Sequence, residues 1–163
     1  MSQDTIGFGG GCHWCTEAVF QSLRGVSNVE QGFIKSFAPH DNYSEAVVVT
    51  FDAALIPLKV LIEVHLRTHA STSQHKMRAK YRSAIYVYSS AQADSVQRHV
   101  KEAQGDFDQQ IVTMTLAFNG FKASPEQFQK YYETNSEKPF CRTYIDPKLS
   151  EIRRLFSQYS PQT

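Results

Sequence analysis

Thr5-Ile6-Gly7-Phe8-Gly9-Gly10-Gly11-Cys12-His13-Trp14-Cys15 decides the fold. Thr5 to Phe8 is a short apolar segment that runs into three consecutive glycines. From Trp14 to Leu23 the apolar residues Trp14, Cys15, Ala18, Val19 and Leu23 recur at helical spacing. The stretch therefore reads as strand, tight turn, helix.

The chain downstream extends this opening. Gly25 ends the helix, and Val26 to Ile34 and Glu45 to Phe51 read as strands, the second carrying the β-branched run Val47-Val48-Val49-Thr50. Lys35 to Tyr43, polar and holding Pro39, is a loop between them. Pro57 opens a helix whose Leu58, Leu61, Ile62, His65 and Leu66 share one face and which ends near His69. Polar Ala70 to Lys80 leads into the strand Ala84 to Tyr88. Ser89 followed by Gln92 has capping-box spacing and starts a helix to about Gln104. Ile111 to Phe118 is the next strand, Ser124-Pro125-Glu126-Gln127 a second capping box for a helix to about Thr134, and Asp146-Pro147 opens the last helix. The order βαββαβ plus further helix predicts an α+β two-layer sandwich: a ferredoxin-like mixed sheet with additional C-terminal helices. No linker or repeat divides residues 1–163, so one domain is expected.

Seventeen Lys and Arg against sixteen Asp and Glu leave a formal charge of +1, which gives no whole-protein field for nucleic acid or an anionic membrane. The first residues lack a basic segment followed by an apolar core, and no apolar run is long enough to span a bilayer. The expected location is the cytoplasm. Three cysteines, an odd number, do not make a closed framework of bridges.

The chemistry concentrates where the glycines meet the helix. A thiol there faces unpaired amides and the positive end of the helix dipole, both of which favour thiolate, so Cys12 is expected to be reactive. Cys15 completes a C-x-x-C pair, and Cys141 lies far along the chain. Three other readings of the residues stay open beside the reactive thiol. Cys12 can be a packed core cysteine, though glycines pack poorly around it. Cys12, Cys15 and Cys141 with one histidine can make a zinc set in a non-enzymatic module, though Cys141 has no close partner. The pair can also be a thioredoxin-like exchanger, a likeness that stops at the spacing.

Gly11-Cys12-His13-Trp14 resembles the Gly-Cys-Phe-Trp signature of the A-type peptide methionine sulfoxide reductases. Ser44-Glu45-Ala46-Val47 is similar to that family's His-Ala-Glu-Ala-Val, and Tyr81-Arg82-Ser83-Ala84-Ile85-Tyr86 to its Tyr-Arg-Ser-Ala-Ile-Tyr. Lys138-Pro139-Phe140-Cys141 with Ile145-Asp146-Pro147-Lys148-Leu149 looks like the tail of members with a recycling cysteine there. The resemblance spans nearly the whole chain. It implies reduction of methionine S-sulfoxide, free or peptide-bound, with Cys12 attacking sulfur and left as a sulfenic acid. Glu45, kept protonated by an apolar surround, would act on the sulfoxide oxygen with Tyr81 as a second donor, and Trp14 would wall the S-methyl group. Thioredoxin would reduce the final disulfide, with no cofactor or metal. A redox protein of the same fold acting on another sulfoxide or on a disulfide is the alternative.

Departures from the family pattern carry expectations too. His13 replaces an aromatic with a titratable ring, which predicts a wetter methyl pocket. The family's glycine-rich loop before Tyr43 is largely lost, leaving Tyr43 as its stand-in for binding the sulfoxide oxygen. Lys76 falls where the family has a substrate-side aspartate, and with Arg78 and Lys80 predicts preference for substrates bearing a nearby carboxylate. Cys141 is expected to resolve the sulfenic acid first. On a regular helix Cys15 would face the flank by Ala18 and Val19, whereas Cys141 follows Pro139 between helices. Cys15 would then be a relay or a packed residue.

Overall fold

The computed structural model describes residues 3–73 and 80–160. Its sheet holds β1 (Gln3–Gly9), β2 (Val26–Lys35), β3 (Ser44–Asp52), β4 (Ala84–Val87), β5 (Met114–Ala117) and β6 (Gly120–Ala123) in the order β5-β4-β1-β3-β2-β6. β3 lies between β1 and β2, and β1 between β3 and β4, which is the split arrangement expected from the element order. The inner pairings are antiparallel, with Gly9 opposite Ala46 and Ala84, and only β4 with β5 is parallel. α1 (His13–Gln21), α2 (Leu58–Thr68) and α3 (Ser90–Ala103) connect the strands, and α4 (Tyr131–Asn135) and α5 (Asp146–Leu155) form the tail.

Strand alternation sends Ile6, Phe8, Val47, Val49, Ile85 and Val87 to the helical side. There they pack with Val19 and Phe20 of α1, Leu61 of α2 and Val96 of α3. The opposite face is closed by the sheet itself. Ala117 and Gly120 lie on strands at opposite edges, yet three residue steps reach at most about 10 Å. Opposite edges of a flat sheet of this size would be about 24 Å apart. The sheet must therefore curl until its edges meet, and the hydrogen bonds show the seam. Phe118 N–H donates to Val87 of β4 at 2.9 Å, and Asn119 N–H to Lys35 of β2 at 2.9 Å. Ile34, Ala46, Val48, Ala84 and Tyr86 fill the curl with Leu116, Phe118 and Phe121. The buried Arg82 guanidinium bridges Ile34 carbonyl, Asn42 and the Tyr86 hydroxyl. Burial on both faces explains the unbroken β-branched run of β3.

Two expected elements differ. The Ile111–Phe118 strand is only Met114–Ala117, and a separate β6 follows it on the far edge. The helix expected from Ser124 to about Thr134 is broken into a 3₁₀ turn, Glu126–Phe128, and the short α4. Tertiary bonds break it. Gln129 uses its side chain as a strand edge, accepting from Gln31 N–H at 2.9 Å and donating to Gln31 carbonyl at 2.8 Å. Lys130 then adopts φ 54°, which lets its N–H and that of Tyr131 reach the Glu17 carboxylate of α1 at 2.7 and 3.1 Å. Glu17 is 1% exposed and also accepts from Gln31 Nε2 at 2.7 Å.

Glu17 thus ties the tail to α1. Glu17→Ala leaves up to three donors short of a partner at about 1 kcal/mol each, so a loss of about 3 kcal/mol is expected in urea unfolding. Amide-exchange protection should fall first at Lys130 and Tyr131. Burial also raises the Glu17 carboxyl above its ordinary value, partly offset by these hydrogen bonds. The folded chain therefore holds a proton that the unfolded chain releases near about pH 4.3, and this contribution to stability is lost as pH rises through the native value. The stability difference between wild type and Glu17→Gln should fall over that window. A difference independent of pH would contradict this.

Candidate active site

β1 ends at Gly9 and delivers the chain to α1 through Gly10, which has φ 152°. A Cβ at Gly10 would stand 2.4 Å from the His69 ring, so glycine is required there by both backbone and space. His69 is held by Nδ1 on the His65 carbonyl at 2.5 Å and Nε2 against Ser83 Oγ at 2.8 Å, and His65 Nε2 donates to Gly9 carbonyl at 2.7 Å. The α2 histidines thus fix the turn that presents Cys12.

Cys12 is the N-cap of α1, with φ −59° and ψ 127°, and its carbonyl already accepts from Cys15 N–H at 3.1 Å and Thr16 N–H at 3.2 Å. The residue is partly exposed. A hydrogen bond from the Cys15 thiol is the main cause that lowers the Cys12 thiol to about 7, aided by the N–H groups of Trp14 and Cys15 and opposed by burial and the Glu45 charge. The same bond, with burial and the Cys12 charge, pushes the Cys15 thiol up. Cys15 packs against Ala18, as expected, but is not turned away from Cys12: Cys12 packs on the same cluster, as the i to i+3 spacing at a helix start allows.

Cys141 also departs from expectation. It begins a π-helical turn, Cys141–Ile145, continuous with α5, and is fully buried rather than placed in a free connector. Cys15, Cys141, Ala18, Ile145 and Leu149 form one apolar cluster on which Cys12, Tyr131 and Phe140 pack. Burial and the Asp146 carboxylate push the Cys141 thiol up. All three thiols are free. Among the described residues no group of three or more His, Cys, Asp or Glu is arranged to hold a metal ion.

Glu45, the second residue of β3, lies at the start of α1, where Oε1 accepts from His13 N–H at 3.2 Å. Its expected apolar surround is corrected. The His13 ring Nε2 stands 3.6 Å from Oε1, and the Lys80 ammonium 3.7 Å from Oε2. Lys80 carbonyl accepts from Glu45 N–H at 3.0 Å, so the 80–82 segment is sewn to the head of β3, and the Lys80 ammonium sits 5.1 Å from the Tyr81 ring centroid. Tyr81, half-buried, is thereby beside Glu45 through Lys80. A hydrogen bond to Tyr81, together with the Tyr81 and Glu45 charges, pushes the Lys80 ammonium up.

Trp14 stacks on Tyr131 at 4.0 Å between centroids and meets Phe140 edge-on at 5.7 Å. Tyr43 is drawn to the β2–β6 edge instead: its ring lies 5.4 Å from the Lys35 ammonium and its hydroxyl beside Gly120. None of its described contacts is with Cys12 or Glu45. Lys76, with residues 74–79, lies outside the described residues. Sequence reasoning missed Glu17 and Tyr131. An acidic residue one turn after His13, on the same side of α1, was the available signal for the first.

Cys15→Ala removes the largest cause favouring the Cys12 thiolate, so the midpoint of Cys12 alkylation against pH should move from about 7 toward the ordinary thiol value. An unmoved midpoint would assign the activation to the helix amides alone.

Comparison with known proteins agrees with this geometry. The family described as peptide methionine sulfoxide reductase matches residues 4–160. The peptide methionine sulfoxide reductase MsrA of Deinococcus radiodurans is 32% identical, covering 95% of this chain and 83% of its own. Mxr1 from Saccharomyces cerevisiae in reduced form superposes with a TM-score of 0.76 at 20% identity, over 87% of this chain and 91% of that one. Mxr1 in complex with Trx2 gives 0.64 at 20% identity, over 77% and 83%. On the family match and the coverage of its relatives, the chain belongs to the peptide methionine sulfoxide reductase family.

Proposed function

We propose that this chain reduces methionine S-sulfoxide, free or peptide-bound, to methionine through Cys12. The observation that carries the reading is the Cys12 sulfur at the α1 N-terminus, hydrogen-bonded by Cys15 and flanked by the Glu45 carboxylate. The Cys12 thiolate attacks the sulfoxide sulfur while the oxygen takes a proton by way of Glu45, with Tyr81 as a second donor. Sulfoxide and thiol become thioether and Cys12 sulfenic acid. The methionine sulfur gains two electrons and the Cys12 sulfur loses them. The Trp14 indole, braced by Tyr131 and Phe140, offers its remaining apolar surface to the S-methyl group, beside His13.

Cys15 resolves first in this reading, because it lies one helical turn from Cys12 and in the cluster on which Cys12 packs. Condensation releases water and forms the Cys12–Cys15 disulfide. Cys141, in the same cluster, then exchanges onto Cys15 and frees Cys12. Thioredoxin, the class of partner seen with Mxr1, reduces the last disulfide. Residues 1–163 act as one domain, and three free thiols suit the reducing cytoplasm. No helix among the described residues is long and apolar enough to cross a membrane.

With dithiothreitol as reductant, the wild type should consume the S epimer and spare the R epimer, and Cys12→Ser should have no turnover. Turnover in that variant overturns the mechanism. One equivalent of sulfoxide, a thiol-blocking quench and peptide mass spectrometry should give Cys12–Cys15 as the earliest disulfide. Cys12–Cys141 at the earliest time would reverse the order of the two thiols.

A further inference from the structure

We propose that His13 is a positioning residue for Glu45, holding its carboxylate and passing it the proton that the sulfoxide oxygen takes; this rests on the reductase reading above. His13 is the first helical residue of α1 and is 8% exposed. Its Nδ1 lies 2.8 Å from Gly32 carbonyl. A carbonyl only accepts, so Nδ1 carries hydrogen in the neutral and the charged ring alike. Nε2 is then the atom that gains or loses a proton, and it faces Glu45 Oε1 at 3.6 Å. The Phe33 ring, edge-on at 5.2 Å, fixes the imidazole plane. The same Oε1 accepts the His13 main-chain N–H at 3.2 Å, so one residue holds this oxygen from two sides.

The transfer needs no ring flip. A charged His13 gives its Nε2 proton to Oε1, becoming neutral with Nδ1–H still on Gly32. Glu45 passes the proton to the sulfoxide oxygen and returns to carboxylate, and solvent recharges the ring. At 3.6 Å the gap exceeds a hydrogen bond, and closure falls to the substrate-bound state, in which catalytic bonds tighten. The charged groups around the ring are few. β3 supplies Glu45, α1 supplies Glu17, whose charge His13 favours, and Cys12 precedes the ring. The 80–82 segment places Lys80 on the far oxygen of Glu45, and β2 offers only Gly32 carbonyl and Phe33. An apolar ring would fill the same space against Phe33 without a proton to give.

The test is the pH profile of the first turnover, read as methionine formed per Cys12 without added reductant. The wild type should be bell-shaped, rising with the Cys12 thiolate near about 7 and falling at higher pH as the proton for the sulfoxide oxygen is no longer supplied. His13→Phe and His13→Gln should each slow the step roughly tenfold or more at neutral pH and displace the falling limb. Cys12 alkylation measured in the same proteins reports the integrity of the turn, and a comparable alkylation rate with the slower first turnover supports the proposal. A wild-type first-turnover rate and falling limb in either variant overturn it. A wild type that forms no methionine would instead fail the reductase reading itself.

Discussion

Cys12 is the last extended residue before α1, and most of the site follows from that single backbone state. Its carbonyl has entered the helix, yet its side chain has not, so the sulfur stands at the amide-rich end of α1 rather than along its flank. The extended state is enforced from outside the helix. Gly10 passes under the His69 ring, and the Gly9 carbonyl is held by His65. α2 therefore governs the reactivity of a residue on another element.

The same helix end also receives the Glu45 carboxylate, and the two anions compete for it. Glu45 opposes ionisation of Cys12, as burial does, so a nearby carboxylate taxes the nucleophile. The Cys15 hydrogen bond offsets both. At a thiol value of about 7, near half of Cys12 is thiolate at neutral pH, against roughly one part in a hundred for a thiol two units higher. On the proposed mechanism Cys15 has two roles separated in time: first it favours the Cys12 thiolate, then it is the nucleophile once Cys12 is oxidised. Its own raised value suits this order, since a protonated Cys15 cannot compete for the sulfoxide.

Local signals predicted what local forces decide. Strand–turn–helix at residues 5–23 is set by apolar spacing and glycine, and the Ser89 cap forms as its spacing indicates, with Ser89 Oγ accepting from Gln92 N–H at 3.1 Å. The similar spacing at Ser124 does not make a helix, because Gln31 and Glu17, about a hundred residues earlier, offer the backbone better partners. No periodicity records such a competitor. Glu45 and His13 were legible as site residues from their motifs, but their pairing was not, since it depends on the Glu45–Phe33 register of β3 with β2.

The tail carries two parts of the chemistry on one piece of chain. Tyr131 and Phe140 brace Trp14, and Cys141 follows Phe140 directly. In the proposed mechanism the apolar wall for the S-methyl group and the second recycling thiol are therefore on one segment, and an exchange of Cys141 onto Cys15 would act on Phe140 and on the Trp14 surface it braces. The wide turn at Cys141–Ile145 is where such a shift costs least, since a π turn already departs from the regular helical ladder. Glu17 anchors the near end of the same tail at Lys130 and Tyr131. The Cys12 turn is held separately, by the His65 bond to the Gly9 carbonyl and by the His69 ring against Gly10.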